Sequence, residues 1–242
     1  KQVKYDAQKN ARVLLKTLGI RMRYRENLNQ ARANTSRNFF AANQEYEKLI
    51  NLICESTFSH TLIIEKKVTL NKYQHALLAS FVRSTAVSVE LITTSELIEA
   101  VTILRKQVEL LARLYELEEK EFEKLSGKTP NIRGLKTKLK RLYSGFSESA
   151  HSATYGSMSL IGFYKDTKRR EHIFYPEFTP NTEVIFQNWI SIFWEFTFWA
   201  IDFKIAYFDD YDHQKDEEEF MEIFRVYQSS GLDQKFKDKY DN

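Results

Sequence analysis

The sequence predicts an all-α fold: a helical bundle of about six or seven helices, with a small hairpin-like insertion near residues 157–178. Three observations carry this. Seven Gly and three Pro in 242 residues are too few for many short strands and turns. Apolar residues recur at helical spacing, as in Leu97, Val101, Leu104, Val108, Leu111 and Tyr115. Asn71 with Gln74, and Thr93 with Glu96, have the three-residue spacing of capping boxes that open helices.

The elements follow in order. Residues 3–27 read as a strongly basic helix with Val13, Leu14, Leu18 and Met22 as its apolar stripe. Asn34, Thr35 or Ser36 is expected to cap a second helix reaching about residue 57. Thr61-Leu62-Ile63-Ile64 and Lys66-Lys67-Val68-Thr69-Leu70 read as short extended pieces or a loop. The Asn71 box opens a helix to Ile92, and the Thr93 box a long one over about 95–124. Ser126-Gly127-Lys128-Thr129-Pro130 stops it, with Pro130 as a barrier to continuation. A basic helix of about 132–155 follows, with Gly145 as a weak point inside it. Ser159 to Tyr164 and His172 to Tyr175 flank a charged Asp166–Arg170 stretch, the hairpin-like insertion. Thr179-Pro180-Asn181 opens the last long helix, about 181–208.

That last helix holds Phe186, Trp189, Phe193, Trp194, Phe196, Phe198, Trp199, Phe203 and Tyr207. Its length suits a membrane span, but Glu195, Asp202 and Lys204 lie inside it. Each charge near the middle of a span costs roughly 2.5–3.5 kcal/mol on insertion scales. Asn188, Ser191, Glu195 and Asp202 fall close to one stripe, so a central bundle helix with a polar seam is expected, and membrane insertion is not.

The charge is segregated. Residues 1–37 carry ten Lys or Arg against Asp6 and Glu26, and 128–141 carry six with no acid. Residues 209–222 carry eight acids against Lys215. The reading is a basic helical arm, 1–35, and a single helical domain, 36–242. Arg21, Arg23 and Arg25 beside Tyr24 combine cations with an aromatic ring, as phosphate contact and base stacking require, and Lys138 and Arg141 extend the basic surface. The plainer alternative is a set of solvated helix faces that pair within or between subunits.

Phosphate-loop, dinucleotide-fold and paired-cysteine zinc motifs are missing from the sequence, as is a Gly-x-Ser-x-Gly elbow, so no cofactor is expected. None of the five His is spaced four from another, and no metal site is expected. Cys54 lies in an apolar run and reads as a core residue; a lone Cys and the lack of a leader pattern suggest the cytoplasm. What remains for chemistry is Arg105 with Glu109, and Tyr143, Ser147 and His151, each set spaced four apart so that it shares one helix face.

The run Leu104-Arg105-x-x-x-Glu109 followed by Leu142-Tyr143-x-x-x-Ser147-x-x-x-His151 resembles uncharacterised prokaryotic members of the HEPN-like superfamily (higher eukaryotes and prokaryotes nucleotide-binding), over roughly residues 72–156. The resemblance implies a helical, dimeric component of a prokaryotic defence or toxin-type system that binds or cleaves RNA without a metal. His151 would be the base, Arg105 the cation and Glu109 the group orienting Arg105. Many members place an Arg with four to six residues between it and the His; here those positions, 144–146, are Ser144, Gly145 and Phe146, and the nearest upstream Arg is Arg141. The alternative is a non-catalytic helical module that assembles with itself or with a partner effector. A membrane-disrupting effector exposing the aromatic helix is a third reading.

Overall fold

The computed structural model describes residues 2–137, 139–151, 160 and 175–234, with side chains from residue 13 onward. Among these the protein is all-α. It has eight α-helices: α1 Gln2–Ala42, α2 Glu45–Lys67, α3 Lys72–Thr93, α4 Leu97–Glu119, α5 Phe122–Leu125, α6 Leu139–Ala150, α7 Pro180–Tyr207 and α8 Gln214–Ser229, with a 3₁₀ turn at Ile132–Gly134. Apart from the four-residue α5, seven helices build the bundle, as the sequence leads one to expect. The hairpin-like insertion near 157–178 falls almost wholly outside the described residues.

The buried helix α7 organises the rest. Phe196 stacks on Phe81 of α3 with centroids 4.6 Å apart, and Phe186 meets Phe39 of α1 edge-on at 5.1 Å. Trp189 donates from Nε1 to the Thr85 carbonyl at 3.3 Å. Helix α4 contributes Ala100, Val101, Leu104, Val108 and Leu111, all buried, and packs on α3, α6 and α7. The α7 aromatics are therefore largely spent on neighbouring helices. Among the described residues one helix, α3, is long and apolar enough to cross a bilayer, and half of its apolar window is buried in the bundle.

Helix boundaries depart from the sequence reading in four places. First, α1 runs unbroken through 34–36. Asn34 accepts from Gln30 Nε2 at 3.0 Å, and Thr35 donates to the Pro176 carbonyl at 3.1 Å, so neither caps a new helix. The break comes at Asn43, whose Oδ1 accepts from the Glu45 amide at 2.9 Å while its Nδ2 donates to the Ser230 carbonyl at 2.7 Å. Second, residues 61–64 are helical. Their β-branched side chains favour extended backbone locally, but Ile53, Thr57, His60, Thr61 and Ile64 form one buried face of α2, and burial prevails over propensity.

Third, the Asn71–Gln74 box forms in both directions, but the Thr93–Glu96 box does not. Thr93 donates back to the Glu90 carbonyl, and Glu96 instead binds Arg32 at 2.6 Å. The turn between them places Ser95 at φ +56°, and its hydroxyl meets that of Thr182 at 2.7 Å. Fourth, the predicted helices over 95–124 and 132–155 are shorter, at Leu97–Glu119 and Leu139–Ala150. Buried Arg113 holds the intervening chain by donating to the carbonyls of Leu125 and Lys128.

Candidate functional site

Helices α4 and α6 pack side by side and bring the sequence-predicted groups together. On α4, Leu104 and Val108 are fully buried, which sets their neighbours Arg105 and Glu109 at the rim of the buried face. On α6, Leu139 and Phe146 turn into the core, and Tyr143, with His151 in the turn just past the helix end, meets the α4 rim.

Glu195 of α7 helps place α6. Its fully buried carboxylate accepts from the backbone amides of Lys136 and Thr137 at 2.7 and 2.8 Å, two residues before α6 begins. Both amides precede Leu139, the first residue of α6, so these bonds tie the chain that leads into α6 to α7. Lys136 also reaches Asp202, so two members of the anticipated α7 seam act as anchors for this connection.

The four side chains form a closed set. Arg105 donates from Nε to Glu109 at 3.2 Å, from Nη1 to His151 Nε2 at 2.9 Å, and from Nη2 to the Tyr143 hydroxyl at 3.4 Å. The Tyr143 hydroxyl donates to Glu109 at 2.7 Å, and the guanidinium lies 5.5 Å from the Tyr143 ring centre. A guanidinium only donates, so His151 Nε2 presents its lone pair to Arg105 and the ring proton sits on Nδ1. Hydrogen bonding to Tyr143, reinforced by Glu109, raises the already high Arg105 pKa; burial and the Glu109 contact push Tyr143 up.

The Arg105 and Glu109 side chains are 25% and 30% exposed and His151 is exposed, so the set is reachable from solvent. The arrangement offers a cation and an imidazole base side by side, oriented by a carboxylate and a phenol.

The other predicted residues lie apart from this set. Arg21, Arg23, Tyr24 and Arg25 are exposed on α1, where Arg23 donates to the Gly19 carbonyl and the Tyr24 ring lies 5.8 Å from that of Tyr175. Arg141 is exposed on α6, two positions before Tyr143 and so not on its face. Lys138 lies outside the described residues. Cys54 is half-buried against the core, and burial raises its thiol pKa, away from nucleophile character.

A second cluster escaped the sequence reading. Lys204 of α7, 1% exposed, donates from Nζ to His60 Nδ1 and to Asp216 Oδ2, both at 2.6 Å, and Tyr211 donates to the same Asp216 oxygen at 2.6 Å. Burial and then the Lys204 charge lower the His60 pKa. Asp216 stays lowered despite its burial, because Lys204 and Tyr211 hydrogen-bond its anion. His60, Asp216 and Glu219 place one ligand atom each within 4.8 Å of one another, a spacing a metal ion can use. The Lys204 ammonium bonds two of the three, His60 and Asp216, and supplies a cation there, so these groups read as a buried ion network. The signal for it was Lys204 inside an aromatic helix; its partners, 144 and 12 residues away, had none.

Comparison with protein-family models, with curated proteins and with solved structures finds no match.

Proposed function

We propose that this chain is a HEPN-like component of a prokaryotic defence or toxin-type system that binds or cleaves RNA at the Arg105–Glu109–Tyr143–His151 set. The observation that carries the reading is the direct Arg105–His151 contact, a cation and a base within one hydrogen bond of each other at a solvent-reachable rim. That pair matches the base and the cation that metal-independent cleavage beside a ribose 2′-hydroxyl requires.

A bound phosphodiester draws the guanidinium from the imidazole to its own oxygens, which frees the Nε2 lone pair. His151 then takes the 2′-hydroxyl proton, O2′ attacks phosphorus, and the bond from phosphorus to O5′ breaks. The departing O5′ takes a proton from the imidazolium, leaving a 2′,3′-cyclic phosphate and a 5′-hydroxyl. Arg105 balances the charge that develops on the phosphorane, and Glu109 with Tyr143 holds Arg105 in place.

The test is cleavage of RNA by the purified protein in the presence of a chelator, beside His151→Ala and Arg105→Gln. Cleavage lost in both folded variants supports the reading, and cleavage that persists in His151→Ala refutes it. RNA binding without cleavage, weakened by Arg105→Gln, supports the binding form alone. Neither binding nor cleavage favours the second reading, a non-catalytic helical module, for which the exposed apolar surface of α1 speaks.

A further inference from the structure

Helix α1 leaves an unusual surface uncovered. Val13, Leu14, Leu15, Leu18, Ile20 and Met22 are all exposed, Leu15 by 67% and Met22 by 62%. At 3.6 residues per turn, Leu14, Leu15, Leu18 and Met22 fall on one side of the helix, with Lys16 and Arg23 opposite. A contiguous apolar stripe of this kind marks a contact surface. Because α1 is unbroken to Ala42, its first half cannot bend back onto its own bundle without losing helix.

The far end of the chain carries a matching surface. On α7, Trp194, Phe198, Ile201 and Ile205 recur at alternating four- and three-residue steps, the spacing of a helix-pairing seam. Phe198 and Ile205 are exposed, and Trp194 and Ile201 half-buried. Helix α8 extends the surface through Phe220, whose ring lies 5.0 Å from Trp194 and 6.0 Å from Phe198.

The link after α7 carries the exposed acids Asp209, Asp210 and Asp212, and α8 carries exposed Glu217 on the Phe220 side, with Glu218 and Glu222, two positions from Phe220, off that face. Some have partners: Asp210 binds Lys67, Glu222 reaches Lys48, and Glu217 meets His213. Residues 209–222 hold eight acids against Lys215, so an excess of negative charge remains even with Lys48, Lys67 and Lys204 counted. The arm contributes Lys16, Arg21, Arg23 and Arg25 against Glu26.

We propose that the basic, apolar first half of α1 docks on the acidic, aromatic α7–α8 surface of a second copy of this chain. Both surfaces join large apolar side chains to charge, and the charges are opposite. Their lengths also agree: Leu14 to Met22 spans about 12 Å and Trp194 to Ile205 about 16 Å along a helix axis. Bare RNA would use the cations and leave the leucines uncovered. Each copy has one arm and one acceptor, so the contact closes as a reciprocal pair or runs on as a ring or filament.

Analytical ultracentrifugation of the full chain over a concentration series, at low and high salt, tests this. Leu15→Glu with Leu18→Glu, and separately Asp209→Lys with Glu217→Lys, should each weaken self-association by about tenfold or more, as should added salt. An arm reversed at Arg21→Glu, Arg23→Glu and Arg25→Glu should lose self-association and regain it when the Asp209→Lys and Glu217→Lys changes are added to the same chain. All these positions are exposed, so unchanged thermal melting will show that the variants fold. A chain that stays monomeric at all concentrations, or whose association ignores both sets, overturns the proposal. So does a monomer whose arm binds vesicles of anionic phospholipid, which would make a lipid surface the partner.

Discussion

Two polar clusters of this protein differ mainly in water access, and burial decides what each side chain is worth. Around Arg105 the charges are partly solvated, so removing one should cost under about 1 kcal/mol of stability. Arg105→Gln and His151→Ala are thus expected to melt close to the parent, which makes them usable in activity assays. Lys204 is sealed between His60 and Asp216, and Lys204→Ala strands a buried carboxylate; a loss of about 3–5 kcal/mol is expected in urea unfolding.

His60 also sets a pH dependence. Its folded pKa lies below that of a free imidazole, so the unfolded chain binds the extra proton first. Stability should be full above about pH 6.5 and fall as pH drops from there toward the lowered folded value. The depressed Asp216 carboxyl adds a second loss below about pH 4. Urea midpoints at mildly acidic and neutral pH should differ for the parent and nearly coincide for His60→Gln; equal slopes in both would show that His60 is not the sensing group.

At the scale of the element, α6 is a short helix with two buried apolar residues, held at its start by Glu195 from another helix. Glu195→Ala leaves two backbone amides without their acceptor. The expected result is faster amide exchange throughout α6 and release of His151 from Arg105, while α3 and α4 keep their protection. Exchange in α6 unchanged from the parent would mean that packing on α4 alone sets its position. By contrast Asn71→Ala removes one cap from α3 and should cost about 1 kcal/mol, spread over the whole bundle's unfolding.

Across the whole molecule the helices divide by what they bury. Helix α7 is buried along most of its length, whereas α1 is exposed from Val13 to Asn27 except at Gly19, with Tyr24 and Asn27 touching Tyr175, and packs on the helices beyond it. Amides of residues 13–23 should exchange orders of magnitude faster than those of 185–203 in the dilute monomer, because their side chains are almost all exposed among the described residues. They should slow as concentration rises if copies dock through this arm. The uneven charge along the chain, basic at one end and acidic toward the other, then gives association a direction.

Local periodicity and local hydrogen bonding make the all-α class, the central place of the aromatic helix, the Asn71 cap and the four-residue spacings behind the Arg105–Glu109 and Tyr143–His151 pairs legible in the chain. Packing was needed to show that the two pairs are one hydrogen-bonded set, that residues 61–64 are helical, and that the break after α1 falls at Asn43 and not at 34–36. In each case the deciding partner is remote in sequence: α6 for Arg105, Pro176 for Thr35, Ser230 for Asn43. Lys204 shows the same limit most plainly. A cation in an aromatic helix is visible in one dimension, but the histidine and aspartate that make it tolerable come from α2 and α8, and only packing brings them within 2.6 Å.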